Sequence, residues 1–514
     1  MWGKFHRIVF IVALCGLAVG LPLNKIVLSI SGMVLALNWI LEAQFKQKWD
    51  ALIINRTALL IIGIFMLHIV GLLWSTDLNY GLHDIKIKLP LLFIPLIIAS
   101  SKPLQKKEVN LILLLFTISV FVTSLINWTV FVYDGLDDDL ELRNLSLFTS
   151  HIRYALLVVM ALCISIYLSF YTRNWQRFAL WGVAIWFVYY TLFAQVLSGI
   201  LTLLFVFIFS AIWVIAKKTS GKRKIASFIG LIISIVSIGA WLIIQINPPI
   251  KEQIIVEELE HFTPSGNRYE HVYENQMTEN GYYINYYLCK KELEQEWNKK
   301  SSIGFYEPDA KGNLLAGTLI RYMTSKGLRK DSAHFSQLTA KDIYYVEQGI
   351  ASEVYTYGGI RARLAELGLE IQKYKEGNDP NGSTVMERLA FWSTGIHIIE
   401  QNFWIGTGTG DVQQAFNTQY AADQTRLQPE NRLRTHQQFM TSWITFGVFG
   451  FIIFVGFHIF FLLLKWHLNE VIPFLFMIIV ISSYLTEDTL ETQVGATFVA
   501  FFVGLFTHHY KVNK

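Results

Sequence analysis

Apolar and polar residues along this chain fall into long blocks, not into an alternation. Uncharged apolar runs near the ~20 residues that a helix needs to cross a hydrocarbon layer recur throughout. They predict membrane-spanning helices at 7–23, 25–41, 57–75, 86–100, 109–131, 151–171, 177–194, 199–216, 226–245, 436–464, 471–486 and 492–508. The runs are continuous, which points to helices and against a barrel, where lipid-facing and lumen-facing residues alternate. The uncharged stretch 178–216 is too long for one crossing and is divided near Gln195–Gly199.

One block breaks the pattern. Residues 246–435 are mixed and polar, opening on Asn247-Pro248-Pro249, which stops the preceding helix. Helices are predicted inside it at 283–299, 314–328, 340–350 and 358–376, the last with Leu364, Leu367 and Ile371 at helical spacing. Asn378-Asp379-Pro380-Asn381-Gly382 reads as a strong turn. Ser383 or Thr384 then caps the next helix, with Glu387 completing a capping box to Thr384. The expected fold class is all-α: a polytopic helical membrane protein of about twelve transmembrane helices with one large, mostly helical loop. The expected division is 1–245 (helices one to nine), 246–435 (loop domain) and 436–514 (the last three helices).

Composition agrees with this class and charge orients it. The chain of 514 residues is 53% hydrophobic and only 16% charged, against about 25% in soluble domains. The net charge of +4 is uninformative, but its distribution is not. With the N-terminus in the cytoplasm beside Lys4 and Arg7, the loops on that side carry Lys46, Lys48, Arg56, Lys102, Lys106, Lys107, Arg173, Arg177, Lys217, Lys218, Lys222, Arg223, Lys224, Lys511 and Lys514. The opposite side receives Asp134, Asp137, Asp138, Asp139 and Glu141, then Glu487, Asp488 and Glu491. Both termini are then cytoplasmic, and the 246–435 loop is periplasmic in a Gram-negative inner membrane. The N-terminus could pass for a signal peptide, but a second apolar run follows without a small-residue cleavage site, so a retained span is expected. Three cysteines (Cys15, Cys163, Cys289) exclude a disulfide framework, and no Cys/His spacing suggests zinc.

The candidate chemistry gathers in Val385–Phe449. Arg388 sits on a helix whose large apolar residues are spread over most faces. A guanidinium there binds phosphate oxygens or pairs with a carboxylate such as Glu387 or Glu400. Gly406, Gly408 and Gly410 lack a preceding strand and a following Lys-Ser/Thr, so a tight turn is preferred over a nucleotide loop, though its N–H groups could add to an anion site. Thr435 is expected to cap the following span and put His436 in its first turn, where the helix dipole and Arg432 and Arg434 keep the imidazole neutral and able to accept a proton. The alternative is an interfacial histidine that only caps the span. Other boundary cations are His151 and Arg153, which open the sixth span, and Lys86 and Lys88, which open the fourth; snorkelling is the competing reading for the lysines. The acidic cluster Glu487, Asp488 and Glu491 is expected to pair with these cations or to bind an acceptor sugar. Clustered cations above a membrane floor suit a lipid-linked anion such as a polyprenyl pyrophosphate.

The run ERLAFW–GIHIIEQNFWIGTGTGDV, a polar stretch and HQQFMTSWITFGVFGFIIF resemble the O-antigen ligase / O-antigen polymerase superfamily. Its motif joins an Arg-bearing helix, an Asn-x-x-x-Gly-x-Gly-x-Gly turn, a His opening the next span and a Gly-x-x-Gly. The matching positions are Arg388, Asn402, Gly406, Gly408, Gly410, His436, Gly447 and Gly450. WSTDLNYGLHDIKIKLPLLFIPL and LTEDTLETQVGATFVAFF are similar to ligase-type members from Bacteroidetes-like bacteria. Two departures stand out. Gln437 follows His436 where the family has Asn, and Gly199 follows Ser198 where many members have Arg. Arg153 or Lys88 is expected to stand in for that arginine.

The resemblance implies an enzyme, a metal-independent and inverting glycosyltransferase without a cofactor. It would move a glycan from undecaprenyl pyrophosphate to a sugar hydroxyl of lipid A–core. Arg388 would hold the pyrophosphate, His436 would act as base or orienter, and Arg153, His151, Lys88, Arg434 and Gly408 would line the substrate. Its partners would be the lipid-linked glycan, the lipid A–core acceptor and membrane lipid, with no nucleic acid. The polymerase of the same superfamily and a protein O-oligosaccharyltransferase remain alternatives. A transporter of lipid-linked glycans is a different class, disfavoured because the suspicious residues gather at one face.

Overall fold

The computed structural model describes residues 2–134, 146–247, 250–251, 254–273, 277–357, 359–375, 377 and 379–507. Asp137, Asp138, Asp139, Glu141, Pro248, Pro249, Asn378, Lys511 and Lys514 lie outside the described residues. Among the described residues, eight helices are long and apolar enough to cross a membrane: Gly3–Leu23, Lys25–Glu42, Arg56–Trp74, Lys106–Tyr133, His151–Ser169, Leu197–Lys218, Gly221–Ile246 and Gln438–His467. Two shorter apolar helices, Val471–Thr486 and Gln493–Leu505, follow. The chain is thus an all-α membrane protein.

The remaining expected spans take other forms. Stretch 177–194 is the helix Trp175–Phe193, and Gln195, at φ +52°, separates it from Leu197–Lys218. Stretch 86–100 lies across two short helices, Leu78–Lys88 and Pro90–Ser100. Pro90 has no N–H to continue the first ladder, and its fixed φ suits the first turn of the second. Two further helices, Phe45–Ile54 and Val412–Ala422, fall where no element was predicted.

By its contacts the chain forms two compact units, Met1–Phe228 with Glu387–Lys514, and Ile229–Met386. The first unit is built round His151–Ser169, whose residues from Tyr154 to Ser165 are all buried. That helix packs on Trp175–Phe193 and Lys106–Asp134, while Pro90–Ser100 packs on Gln493–Leu505 and Leu197–Lys218 on Val471–Thr486. None of the side chains of Gly221–Ile246 is buried.

In the second unit the helix predicted at 283–299 runs only from Lys290 to Lys300. Tyr282–Tyr283 instead pairs with Thr278–Glu279 in a two-stranded antiparallel ribbon, as aromatic residues favour. Leu293 and Trp297 close a small core with Leu319, Met323 and Val346. Ser383 Oγ accepts from Met386 N at 3.3 Å, so Ser383 caps the helix Thr384–Gln401. The expected box between Thr384 and Glu387 is one residue out of register.

Candidate active site

The site is held by backbone first. The span Gln438–His467 is interrupted at Gly447, which sits at φ +64° and ψ −171°. An interruption inside apolar surroundings leaves polar backbone groups without partners, at several kcal/mol each. The glycine turn supplies those partners. Thr407 N donates to Ile444 O at 2.7 Å and Gly408 N to Thr445 O at 3.0 Å, and Phe403 O accepts from Val448 N at 2.8 Å. The two strands of chain touch so closely that a Cβ on Gly406, at φ +72°, would lie 2.5 Å from Gly447 N.

The same turn closes the end of Arg56–Val70. Thr409 Oγ1 donates to His68 O at 2.7 Å and Thr409 N to Gly71 O at 3.2 Å, satisfying carbonyls that a helix end leaves free. Gly410 N donates to Ser75 Oγ at 2.9 Å, and the Asp411 carboxylate accepts from Thr76 N and Asp77 N, each at 2.8 Å by the nearer oxygen. The Gly408 N–H is therefore occupied by Thr445 and does not face an anion. The turn reading holds, and the turn's purpose is to mend a broken span.

With the turn in place, helix Thr384–Gln401 presents Arg388, Phe391 and Trp392 to the segment before the span. Trp392 Nε1 donates to Thr435 O at 3.0 Å, and the Phe391 and His436 rings lie 5.9 Å apart. The capping expectation is corrected here: Gln437, not Thr435, is the N-cap, its side chain accepting from Met440 N at 2.6 Å. His436 thus precedes the helix, at φ +47°, a left-handed conformation that His tolerates better than most residues and that marks strained, functional positions.

Its charged partner comes from the acidic loop. Glu487 is nearly buried; Arg388 Nη2 donates to its Oε1 at 2.7 Å, and its Oε2 lies 3.4 Å from His436 Nδ1. One carboxylate thus joins the two residues singled out for phosphate and proton. Arg388 does pair with a carboxylate, but with Glu487, not Glu387 or Glu400. The Nδ1 contact is the one hydrogen bond of the His436 ring among the described residues. A proton held there leaves Nε2 as the basic nitrogen.

Behind this triad lies a second, deeper network. Lys88 Nζ donates to Asp84 Oδ1 at 2.5 Å and to Glu491 Oε2 at 2.8 Å, and Arg434 Nη1 donates to Glu491 Oε2 at 3.2 Å. His68 Nδ1 lies 3.4 Å from Asp84 Oδ2. Lys88 is 1% exposed, so it does not snorkel, and its ammonium is committed to an internal ion network with Asp84 and Glu491. Burial pushes the Arg434 guanidinium down, but Glu491 and Asp488 more than reverse this and hold it above its ordinary value. Burial pushes the Asp488 carboxyl above the usual carboxylate range, against the pull of Arg434. Thr441 Oγ1 donates to Asp488 at 2.7 Å, and Gln438 Oε1 accepts from Leu490 N at 2.7 Å, tying the acidic loop to the start of the span.

Arg153 is different. The charges of Glu487 and Asp488 act on it, yet it makes no ion pair among the described residues, and its buried Nε has no hydrogen-bond partner. Its guanidinium thus lies within electrostatic range of Glu487 without a hydrogen bond to it among the described residues. His151, two residues away, lines a small cavity with Ser146, Tyr154 and Tyr190. On another flank a polar cleft of about 510 Å³ is lined by Asp77, Tyr80, Gly410, Gln413, Asn417 and Thr418. Burial raises the Tyr80 hydroxyl, and the charges of Arg434 and Glu491 reach it, so the cleft adjoins the ion network. Glu487 as the bridge and the amide-lined cleft were not singled out from sequence. The spacing of Val412, Phe416 and Tyr420 was the available signal for the cleft's helix.

Apolar helices enclosing a cluster of arginines, carboxylates and the histidines His68 and His436 define a polytopic membrane protein with a charged cluster. Residues 339–455 match the family model for O-Antigen ligase, so the chain carries a domain of the O-antigen ligase superfamily. Arg388, the glycine turn, His436 and Gly447 fall inside the match; Lys88, Arg153, Glu487 and Glu491 fall outside it. No curated protein matches the chain.

Proposed function

We propose that the protein is an O-antigen ligase that transfers a glycan from undecaprenyl pyrophosphate to a sugar hydroxyl of lipid A–core. It acts at the periplasmic face of the inner membrane, through about twelve spans, with both termini in the cytoplasm. The observation that carries the reading is the Arg388–Glu487–His436 triad, with Arg153, which forms no ion pair among the described residues, within range of the Glu487 charge.

The chemistry follows from the charges. Arg153 and the free N–H groups of Arg388 hold the donor's pyrophosphate, guanidinium being suited to paired phosphate oxygens. His436 Nε2 takes the proton of the acceptor hydroxyl as its oxygen bonds to the anomeric carbon. The bond from that carbon to the pyrophosphate oxygen breaks, and undecaprenyl pyrophosphate leaves with the electron pair, stabilised by the arginines. Attack opposite the leaving group inverts the configuration. Glu487 stabilises the imidazolium as it forms. The donor already carries the energy of the bond, and the mechanism needs no metal or cofactor. The amides, tyrosine and threonine of the polar cleft suit sugar hydroxyls.

The test is a deletion strain complemented with wild type, His436→Ala or Arg388→Ala, with insertion checked by immunoblot. Wild type should restore polymer on lipid A–core, and both variants should leave bare core and accumulate lipid-linked polymer. Single capped units on core in the deletion strain would identify a polymerase instead. Normal O-antigen in either variant refutes the mechanism.

A further inference from the structure

The helix Leu78–Lys88 has two faces. One carries Gly81, Asp84 and Lys88, all buried and turned to the ion network described above. The other carries His83 and Lys86, both exposed, and neither forms a hydrogen bond or ion pair among the described residues. These two side chains edge a groove of about 520 Å³ between Trp2–Leu23, Lys25–Glu42, Pro90–Ser100 and Gln493–Leu505.

The groove is graded from polar to apolar. Lys25–Glu42 and Pro90–Ser100 both enter it from the end where His83 and Lys86 lie. At that end Ser29, His83, Lys86 and Gln493 stand among Leu28, Ile87 and Leu89, with Gln493 Nε2 donating to Ser29 Oγ at 3.1 Å. One to two turns further along the same helices the lining becomes Met33, Ala36, Phe93 and Ile94. Gly32 and Ala36 keep it open: a Cβ on Gly32 would already stand 3.3 Å from the Phe93 ring.

We propose that this groove is a binding site for an anionic glycerophospholipid, with one acyl chain along Met33, Ala36 and Phe93 and the phosphate head on Lys86 and His83. Charge decides the occupant. An uncommitted ammonium, with the His83 imidazole one turn away, sits over an apolar trough in a helix bundle that spans a bilayer, and a juxtamembrane cation favours an anionic head. The reacting donor is not the occupant, because the pyrophosphate-directed arginines, Arg153 and Arg388, do not line the groove, and Lys88 and Asp84 on the opposite face are bound to each other and to Glu491. Only the exclusion of the donor rests on the function proposed above; the lysine and the apolar lining of the groove do not.

The full chain, purified in mild detergent, is examined by native mass spectrometry. Phosphatidylglycerol, phosphatidylcholine of the same acyl composition and undecaprenyl phosphate are added separately and in competition. Phosphatidylglycerol should be retained about fivefold over phosphatidylcholine, the preference expected of one surface cation. Lys86→Gln with His83→Gln, both at exposed positions, should erase the preference and leave phosphatidylcholine retention unchanged. Ala36→Trp, which fills the trough, should lower retention of both. Equal retention of the two phospholipids by wild type, or a preference that survives the double substitution, overturns the proposal. So does undecaprenyl phosphate displacing phosphatidylglycerol from wild type while the double variant binds it less.

Discussion

Glu487→Gln is the most informative single substitution. The wild-type carboxylate accepts from Arg388 at 2.7 Å through one oxygen and faces His436 Nδ1 at 3.4 Å through the other. Gln keeps the shape and keeps an acceptor for Arg388. Its amide nitrogen, turned to His436, is a donor and selects the tautomer with the proton on Nε2. That removes the lone pair that takes the acceptor's proton. A general base contributes roughly 10²–10⁴ in rate, and a wrong tautomer forfeits most of that. At about 1.36 kcal/mol per decade the expected loss is about 3–5 kcal/mol of transition-state stabilisation. The stability change should be smaller, about 1–2 kcal/mol, because a charged hydrogen bond becomes a neutral one without leaving a gap.

The assay is initial-rate glycan transfer by the purified protein in nanodiscs, with a lipid-linked donor varied at saturating acceptor. The kcat should fall at least a hundredfold while KM for the donor stays within about threefold, since Arg388 keeps its partner. Glu487→Asp should recover part of the kcat. A kcat within threefold of wild type refutes the role of Glu487 in holding His436. A fall expressed wholly in KM would mean that Glu487 acts through Arg388 on donor binding alone.

Arg153→Gln should leave the melting temperature unchanged or slightly raised, because Arg153 has no ion-pair partner among the described residues, while raising KM for the donor about 10- to 100-fold, the worth of one charge-assisted phosphate contact; donor-titration kinetics beside a thermal melt check it. Lys88→Met leaves Asp84 buried without a lysine or arginine partner, while Glu491 keeps Arg434, and should destabilise the protein by about 3–5 kcal/mol, seen as a lower melting temperature in detergent, with part restored by adding Asp84→Asn. Asp488 has its carboxyl raised in the folded state, so the fold binds its proton more tightly than the unfolded chain does. Its favourable contribution is full below the unfolded carboxylate range and lost as pH rises through the folded value. Asp488→Asn should therefore stabilise the protein at neutral pH, with a gain that shrinks as pH falls; melts from pH 7 down to about pH 4 test the trend.

The spans were legible because an apolar run of helical length has few other readings, and even the division at Gln195 was visible as an over-long block. Pro90 was visible too, but its consequence, two short helices in place of one span, depends on where Lys88 finds its counter-charges. The stretch from Tyr283 to Cys289 was misread as helix because a charged helical stretch follows directly, and the ribbon partner at Thr278 carries little signal. At the site, Arg388 and His436 stood out as polar groups in apolar runs. Glu487 could not be assigned as their bridge. Nothing periodic says which of three acids in one loop meets which of four cations in three others, and only the packing of Thr441 and Gln438 on that loop decides it.

The departure after Ser198 has a packing explanation that bears on Arg153. A Cβ on Gly199 would stand 2.7 Å from the Ala155 Cβ and 3.7 Å from Thr191 Cγ2, so position 199 faces the helix His151–Ser169 at contact distance. An arginine there would have to displace that helix. The two helices instead approach closely, and the guanidinium stands on the neighbouring one, two residues before Ala155. Both sides keep a trace of a polar gap: Ser198 Oγ and Arg153 Nε are buried without hydrogen-bond partners. Two orphaned polar groups on adjoining helices are costly unless something polar comes between or beside them. On the proposed function an anionic group of the donor would meet that need at Arg153, whereas Lys88 is already saturated by two carboxylates. It follows that restoring arginine at 199 should not rescue Arg153→Gln, because the site has one place for that charge and the close packing at Gly199 has already assigned it to the other helix.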